Sequence, residues 1–111
     1  MRLFHIAHRE DWERAREVGF YAPASLEREG FIHCSLAHPL RAVADALFRG
    51  ERGLWLLVID PGRLGAEVRF EDAGAGEAYP HVYGPVPLSA IERVFALPLG
   101  SDGRVVLPEG F

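Results

Sequence analysis

The segment Leu54-Trp55-Leu56-Leu57-Val58-Ile59 constrains this chain more than any other: it is continuously apolar, closed by Gly53 on one side and Asp60-Pro61-Gly62 on the other. A run so short, with no polar alternate positions, is predicted to be a central strand covered on both faces. Covering both faces calls for further layers, and the chain has 111 residues to build them from. At 12.3 kDa, about 66% of the extended-chain surface is expected to be buried on folding, enough for one core. One domain over residues 1–111 is the expectation.

The segments around the run indicate what the layers are. Leu3 to Ala7 reads as a strand with Phe4 and Ile6 on one face and Leu3, His5 and Ala7 on the other. Asp11 to Val18 is predicted to be a short helix ended by Gly19, and Gly19 to Pro23 an extended stretch. Ser25 is positioned to cap one turn from Leu26 to Glu29, closed by Gly30. Phe31 to Ser35 reads as a strand that turns Phe31, His33 and Ser35 to one side. Pro39 suits the first residue of a helix, in which Leu40, Val43, Ala44, Leu47 and Phe48 share a face.

Beyond the apolar run, Val68 to Glu71 reads as a strand, Asp72 to Glu77 as a Gly/Ala/acid loop, and Ile91 to Leu97 as a strand. Ser101-Asp102-Gly103 then turns the chain back into Arg104 to Leu107. Tyr79, His81 and Tyr83 share a face if their stretch is extended, while Pro80 and Gly84-Pro85 predict an edge or a turn. Helices in the first half followed mostly by strands give a compact α+β domain without linker or repeat.

Composition narrows the chemistry. The chain has no Lys, Thr, Asn or Gln, so polar work falls to Arg, Asp, Glu, His, Tyr, Trp, four Ser and one Cys. A net charge of −4 with scattered arginines forms no basic stripe, and duplex nucleic acid is not an expected partner. No 18-residue apolar stretch is present and Met1 to Phe4 lacks the layout of a signal peptide, so no membrane span and a cytoplasmic location are expected. The single cysteine excludes an internal disulfide, and no CxxC or zinc-ribbon spacing calls for a metal. Missing Asn and Gln and the use of Arg for Lys suit a thermophile or a compositionally biased host. No GxGxxG, P-loop, HExxH or GxSxG is found.

The candidate site residues fall in a few places. His33 either faces a ligand at the end of its strand or is a half-buried histidine bonded to a backbone carbonyl, with Ser35 serving the helix entry. His5 follows the same logic on the first strand. His8 and His38 read as surface or capping residues, and Cys34 as an inert core thiol. Glu71 ends a strand within reach of the Tyr79 to Pro85 cluster, whose aromatic and imidazole wall suits either a flat ligand or a packed sheet edge.

Gly30-Phe31-Ile32-His33-Cys34-Ser35 and Tyr79-Pro80-His81-Val82-Tyr83-Gly84-Pro85, with His5 and Trp12, resemble the domain-of-unknown-function 952 family over nearly the whole chain. That pattern usually has Phe where Tyr79 stands, and Glu71 matches its upstream acidic position. The resemblance implies the split-sheet α+β fold of ADP-ribosyltransferases, whose members bind NAD in a cleft between two small sheets. It further implies His5, His33 and Ser35 on ribose or phosphate oxygens, Tyr21 or Tyr83 as the stacking ring, His81 in the binding wall, and Glu71 as the catalytic carboxylate. Three function classes follow: an ADP-ribosyltransferase-like or NAD glycohydrolase-like enzyme with His5, His33 and Glu71 as catalytic residues; a noncatalytic domain binding a nucleotide-like small molecule; and a metal-dependent enzyme using His5, His33, His81 and Glu71.

Overall fold

The apolar run forms β4 (Leu54–Ile59), the middle strand of a three-stranded antiparallel sheet. It pairs on one side with β1 (Leu3–His8), from Leu3 opposite Ile59 to His8 opposite Leu54, and on the other with β8 (Ile91–Leu97). Alternate β4 residues enter different cores, as the pleat requires. Leu57 and Ile59 join Leu3, Ala7, Ala15, Tyr21, Ile32, Val82 and Val86 on one face, while Leu54, Leu56 and Val58 join Phe4, Ile6, Leu40, Ala44, Leu97 and Val105 on the other. The computed structural model describes residues 1–72 and 76–111, so the central part of the loop expected over Asp72 to Glu77 lies outside the described residues.

Between β1 and β4 the chain forms α1 (Arg9–Val18), β2 (Phe20–Tyr21), α2 (Ala24–Glu29), β3 (Ile32–His33) and α3 (Leu40–Leu47). Gly19 and Gly30 end the first two helices with φ of 95° and 84°, a left-handed conformation that glycine adopts without a Cβ clash. Two helix starts differ from expectation. Pro23, not Ser25, is the N-cap of α2, because the helix begins two residues earlier and draws Ser25 inside it; Pro39 is likewise the N-cap of α3 and not its first residue. Neither proline side chain can accept a hydrogen bond, so both caps act through backbone direction alone.

After β4 come β5 (Val68–Asp72), β6 (Ala78–Val82) and β7 (Val86–Pro87). β2 and β7 make a two-stranded sheet, and β3, β6 and β5 make a third, with β6 in its centre. The expected edge or turn around Pro80 is therefore corrected: Pro80 lies in a middle strand. The Pro80 carbonyl accepts from the Cys34 amide at 3.0 Å, so its missing N–H also points towards β3, and β3 ends at His33. The absent donor costs no ladder bond on the β5 side.

The strand expected from Phe31 to Ser35 is also shorter than its residues suggest. At Cys34 the chain leaves the third sheet, and Ser35 forms a reciprocal pair with Phe4 of β1, each amide donating to the other's carbonyl at 2.8 Å. His33 and Ser35 thus belong to different sheets, and the seam between those sheets runs between them. Near the C-terminus, the turn at Ser101 to Gly103 forms as expected but supports one bridge, Leu99 to Val105, in place of a strand. The whole is a compact mixed α+β domain of three small sheets. No helix among the described residues is long and apolar enough to cross a membrane.

Candidate functional site

The sheet seam opens into a cleft of about 400 Å³. β1 contributes Phe4, His5 and Ile6, the crossover contributes His33, Cys34 and Ser35, and α3 contributes Leu40, Val43 and Leu47, with Phe48 just beyond it. α2 adds Ser25 and Arg28, and α1 adds Asp11. The amphipathic spacing predicted for α3 explains one wall: its apolar face buries Ala44 and Leu40 in the core, and the same face presents Leu40, Val43 and Leu47 to the cleft, with Phe48 beyond them.

His5 is buried in the floor with both ring nitrogens engaged. The His33 carbonyl can only accept, so Nδ1–H donates to it at 2.6 Å. Nε2 is then the bare nitrogen, to which the Tyr21 hydroxyl donates at 2.7 Å. Burial disfavours the charged ring and lowers its pKa from 6.5 to about 4, so His5 is neutral at physiological pH. Tyr21 is fully buried, and desolvation, followed by the nearby Asp11 carboxylate, raises its pKa. Burial likewise pushes the Cys34 thiol up to about 12, which keeps it in the unreactive form. The Ser35 hydroxyl donates to the Leu36 carbonyl at 2.8 Å.

A second group lies on the adjoining face of the third sheet. Tyr79, His81 and Tyr83 alternate along β6 and its extension; β5 places Glu71 and Arg69 across from Tyr79 and His81 in antiparallel register, and the carbonyl of Glu67, just before β5, accepts from the Tyr83 amide at 2.8 Å. One carboxylate oxygen of Glu71, Oε1, accepts from the Tyr83 hydroxyl at 2.5 Å and from His81 Nδ1–H at 2.8 Å. These bonds, that from Tyr83 first, hold the Glu71 carboxyl below the usual carboxylate range, and the same contact raises the Tyr83 pKa. No bond to Oε2 occurs among the described residues. Phe31 stacks on the His81 ring at 4.1 Å, and the Arg69 guanidinium lies over Tyr83 at 4.5 Å.

His33 joins the two groups. It lines the cleft, its ring meets the His81 ring edge-on at 5.2 Å, and its Nε2 is 2.9 Å from a Glu29 carboxylate oxygen. Of the residues singled out from sequence, His5, Tyr21, His33 and Ser35 line the cleft, whereas Glu71, His81 and Tyr83 do not and connect to it through His33. His8 stands at the cleft rim as the exposed N-cap residue of α1, as expected, though its side chain makes no cap hydrogen bond and pairs with Glu51 at 3.2 Å. Among the described residues, no group of three or more His, Cys, Asp or Glu is gathered for a metal ion.

Four contributors were not foreseen: Asp11, Arg28, Glu29 and Phe31. Arg28 had a local signal, since it follows Ser25 by three residues on a predicted helical turn and so shares its face. Phe31 had one too, since it shares a predicted strand face with His33, whose ring it meets at 4.8 Å; Asp11 had none, because the residues it joins in the cleft are distant in sequence.

Fold and site define a class: a small three-sheet α+β domain with a ligand-sized cleft at the seam between two of its sheets. Residues 6–94 match the family described as "Protein of unknown function (DUF952)", and the chain belongs to that family. It is similar to protein CC0527 from Caulobacter crescentus, whose crystal structure superimposes with a TM-score of 0.87 at 30% identity, over 96% of this chain and 95% of that one. The solution NMR structure of CC0527 gives 0.79 at 31% identity, over 93% and 90%. Comparison with the curated proteins finds no match.

Proposed function

We propose that the cleft binds a nucleotide-like small molecule, with NAD as the form implied by the family resemblance to ADP-ribosyltransferases. The observation that carries this reading is the two-sided lining. Phe4, Ile6, Val43, Leu47 and Phe48 offer an apolar surface to a ring, and Asp11, Ser25, Arg28 and His33 offer polar groups to a sugar or an anion. The volume, about 400 Å³, lies in the lower part of the roughly 300–1,000 Å³ range of ligand pockets. One nucleotide half is matched to it; a dinucleotide extends past His33 along the sheet face towards Glu71. In this reading His5, Tyr21 and Ser35 build and hold the floor, and His33, His81 and Tyr83 form the path.

A second, catalytic reading is favoured by the one-sided hold on Glu71. Two donors on Oε1 keep the carboxylate ionised and oriented while Oε2 is open among the described residues. Such a carboxylate stabilises the positive charge that develops on ribose as the nicotinamide C–N bond breaks. Nicotinamide leaves with the bonding electron pair, water adds its oxygen to the ribose carbon, and one proton is released.

Calorimetry with NAD, ADP-ribose, nicotinamide and AMP tests binding. Saturable heat with at least one of them, weakened in His33→Ala, is expected; no binding up to millimolar concentration overturns the reading. Nicotinamide release from NAD tests catalysis, and a Glu71→Gln protein as active as the wild type removes Glu71 from that role.

A further inference from the structure

The polar groups of the cleft differ in how fully the protein uses them. Both His5 nitrogens are consumed, His33 Nε2 is turned to Glu29, and the Ser35 hydroxyl serves Leu36. Arg28 is different. Six of the 12 arginines, Arg2, Arg9, Arg41, Arg63, Arg69 and Arg104, sit in ion pairs, and Arg28 is one of the six that do not among the described residues. Of those six it is the one that lines the cleft, and it has no hydrogen bond there among the described residues. Its sequence neighbours cannot supply one: Glu27 and Glu29 are adjacent on the helix and do not face it, and Glu29 is held by His33. Ser25, three residues back on the same helical face, also lines the cleft and also lacks a hydrogen bond among the described residues.

A guanidinium three residues from a hydroxyl on the same helical face of the cleft lining is suited to an anion with several oxygens. The planar fork of Arg donates two parallel bonds to a phosphoryl group, and the hydroxyl adds a third. Asp11 is the one carboxylate lining the cleft and has no hydrogen bond or ion pair among the described residues. It repels a second anionic group and accepts from hydroxyls, so it gives the cleft a polarity, with the anion held on the α2 side.

We infer that Arg28, with Ser25 beside it, binds the phosphoryl group of the ligand, so that the cleft selects phosphorylated nucleotides over the corresponding nucleosides. The inference rests on the binding reading above and specifies its ligand class. Arg28 is then a specificity-determining residue. Its exposure on a six-residue helix makes its substitution a small perturbation of the fold.

Calorimetric titration of the full chain with AMP, adenosine and inorganic phosphate tests it. AMP is expected to bind on the order of 10- to 100-fold more tightly than adenosine, the fold-change equivalent of a charge-assisted hydrogen bond. That gap narrows as salt rises from about 0.05 to about 0.5 M. Arg28→Met closes the gap by weakening AMP binding far more than adenosine binding, at an unchanged thermal midpoint; Arg28→Lys, which keeps the charge but loses the fork, leaves part of it. Equal affinity of the wild type for AMP and adenosine overturns the inference, as does a gap that survives in Arg28→Met. Inorganic phosphate binding as tightly as AMP overturns selection for a nucleotide. If neither AMP nor adenosine binds, the cleft reading itself fails and the inference falls with it.

Discussion

Acidification bears directly on the His5 relay. The ring has two protein partners, the His33 carbonyl on Nδ1–H and the Tyr21 hydroxyl on Nε2, and protonating Nε2 would charge a buried ring and force the hydroxyl from donor to acceptor. Its pKa therefore falls from 6.5 to about 4 in the fold. Between those values the unfolded chain binds a proton that the folded chain refuses, so stability is complete above 6.5 and declines as pH drops through the window to about 4. At about 1.4 kcal/mol per pH unit, the His5 contribution lost across the window is about 3 kcal/mol. Urea unfolding of the wild type and His5→Gln at constant ionic strength, in steps from about pH 7 to about pH 4, isolates it, since contributions from other groups cancel in the difference. The variant is expected to be less stable at neutral pH but to lose about 3 kcal/mol less on acidification. Parallel curves would refute the reasoning, as would ring ¹⁵N shifts that place the neutral proton on Nε2 or a His5 midpoint near 6.5.

Two further outcomes are expected. Tyr83→Phe removes the larger of the two hydrogen bonds that hold the Glu71 carboxyl low, so the Glu71 midpoint rises, and the stability that the wild type loses as pH falls through that carboxyl's folded-state range is reduced; side-chain carboxyl ¹³C shifts measure it, and an unmoved midpoint contradicts the assignment. In Gly84→Ala the new Cβ would meet the Ala66 Cβ at 2.8 Å, closer than side-chain carbons approach, and a loss of about 1–3 kcal/mol in urea unfolding is expected. Adding Ala66→Gly should restore part of that loss, and strict additivity of the two changes would mean that the contact does not carry it.

Local pattern made some of this molecule legible and left the rest hidden. β4 was readable because a strand covered on both faces can be apolar throughout, and its bounds coincide with the run. The shared face of Tyr79, His81 and Tyr83 followed from the two-residue period, and the left-handed helix ends at Gly19 and Gly30 from the one residue type that tolerates them. Pro80 misled because a proline's cost depends on whether a neighbouring strand reaches its missing N–H, and the length of β3 is not written near Pro80. His33 and Ser35 misled similarly: two residues apart in one apparent strand, they are divided between sheets by a pairing with Phe4, some thirty positions away.

The candidate site divides along the same line. The restricted side-chain alphabet, without Lys, Thr, Asn or Gln, concentrates the candidates in His5, His33, Ser35, Glu71, His81 and the tyrosines. Tertiary structure decided which of these still offer a free group. It spent both nitrogens of His5 on the protein and one Glu71 oxygen on Tyr83 and His81, and it gathered Asp11, Ser25 and Arg28 around the cleft. Residue type and period are properties of neighbours along the chain, and the sequence alone determined those. Whether a hydrogen-bonding group is already satisfied depends on partners brought from elsewhere, and only the fold could decide that.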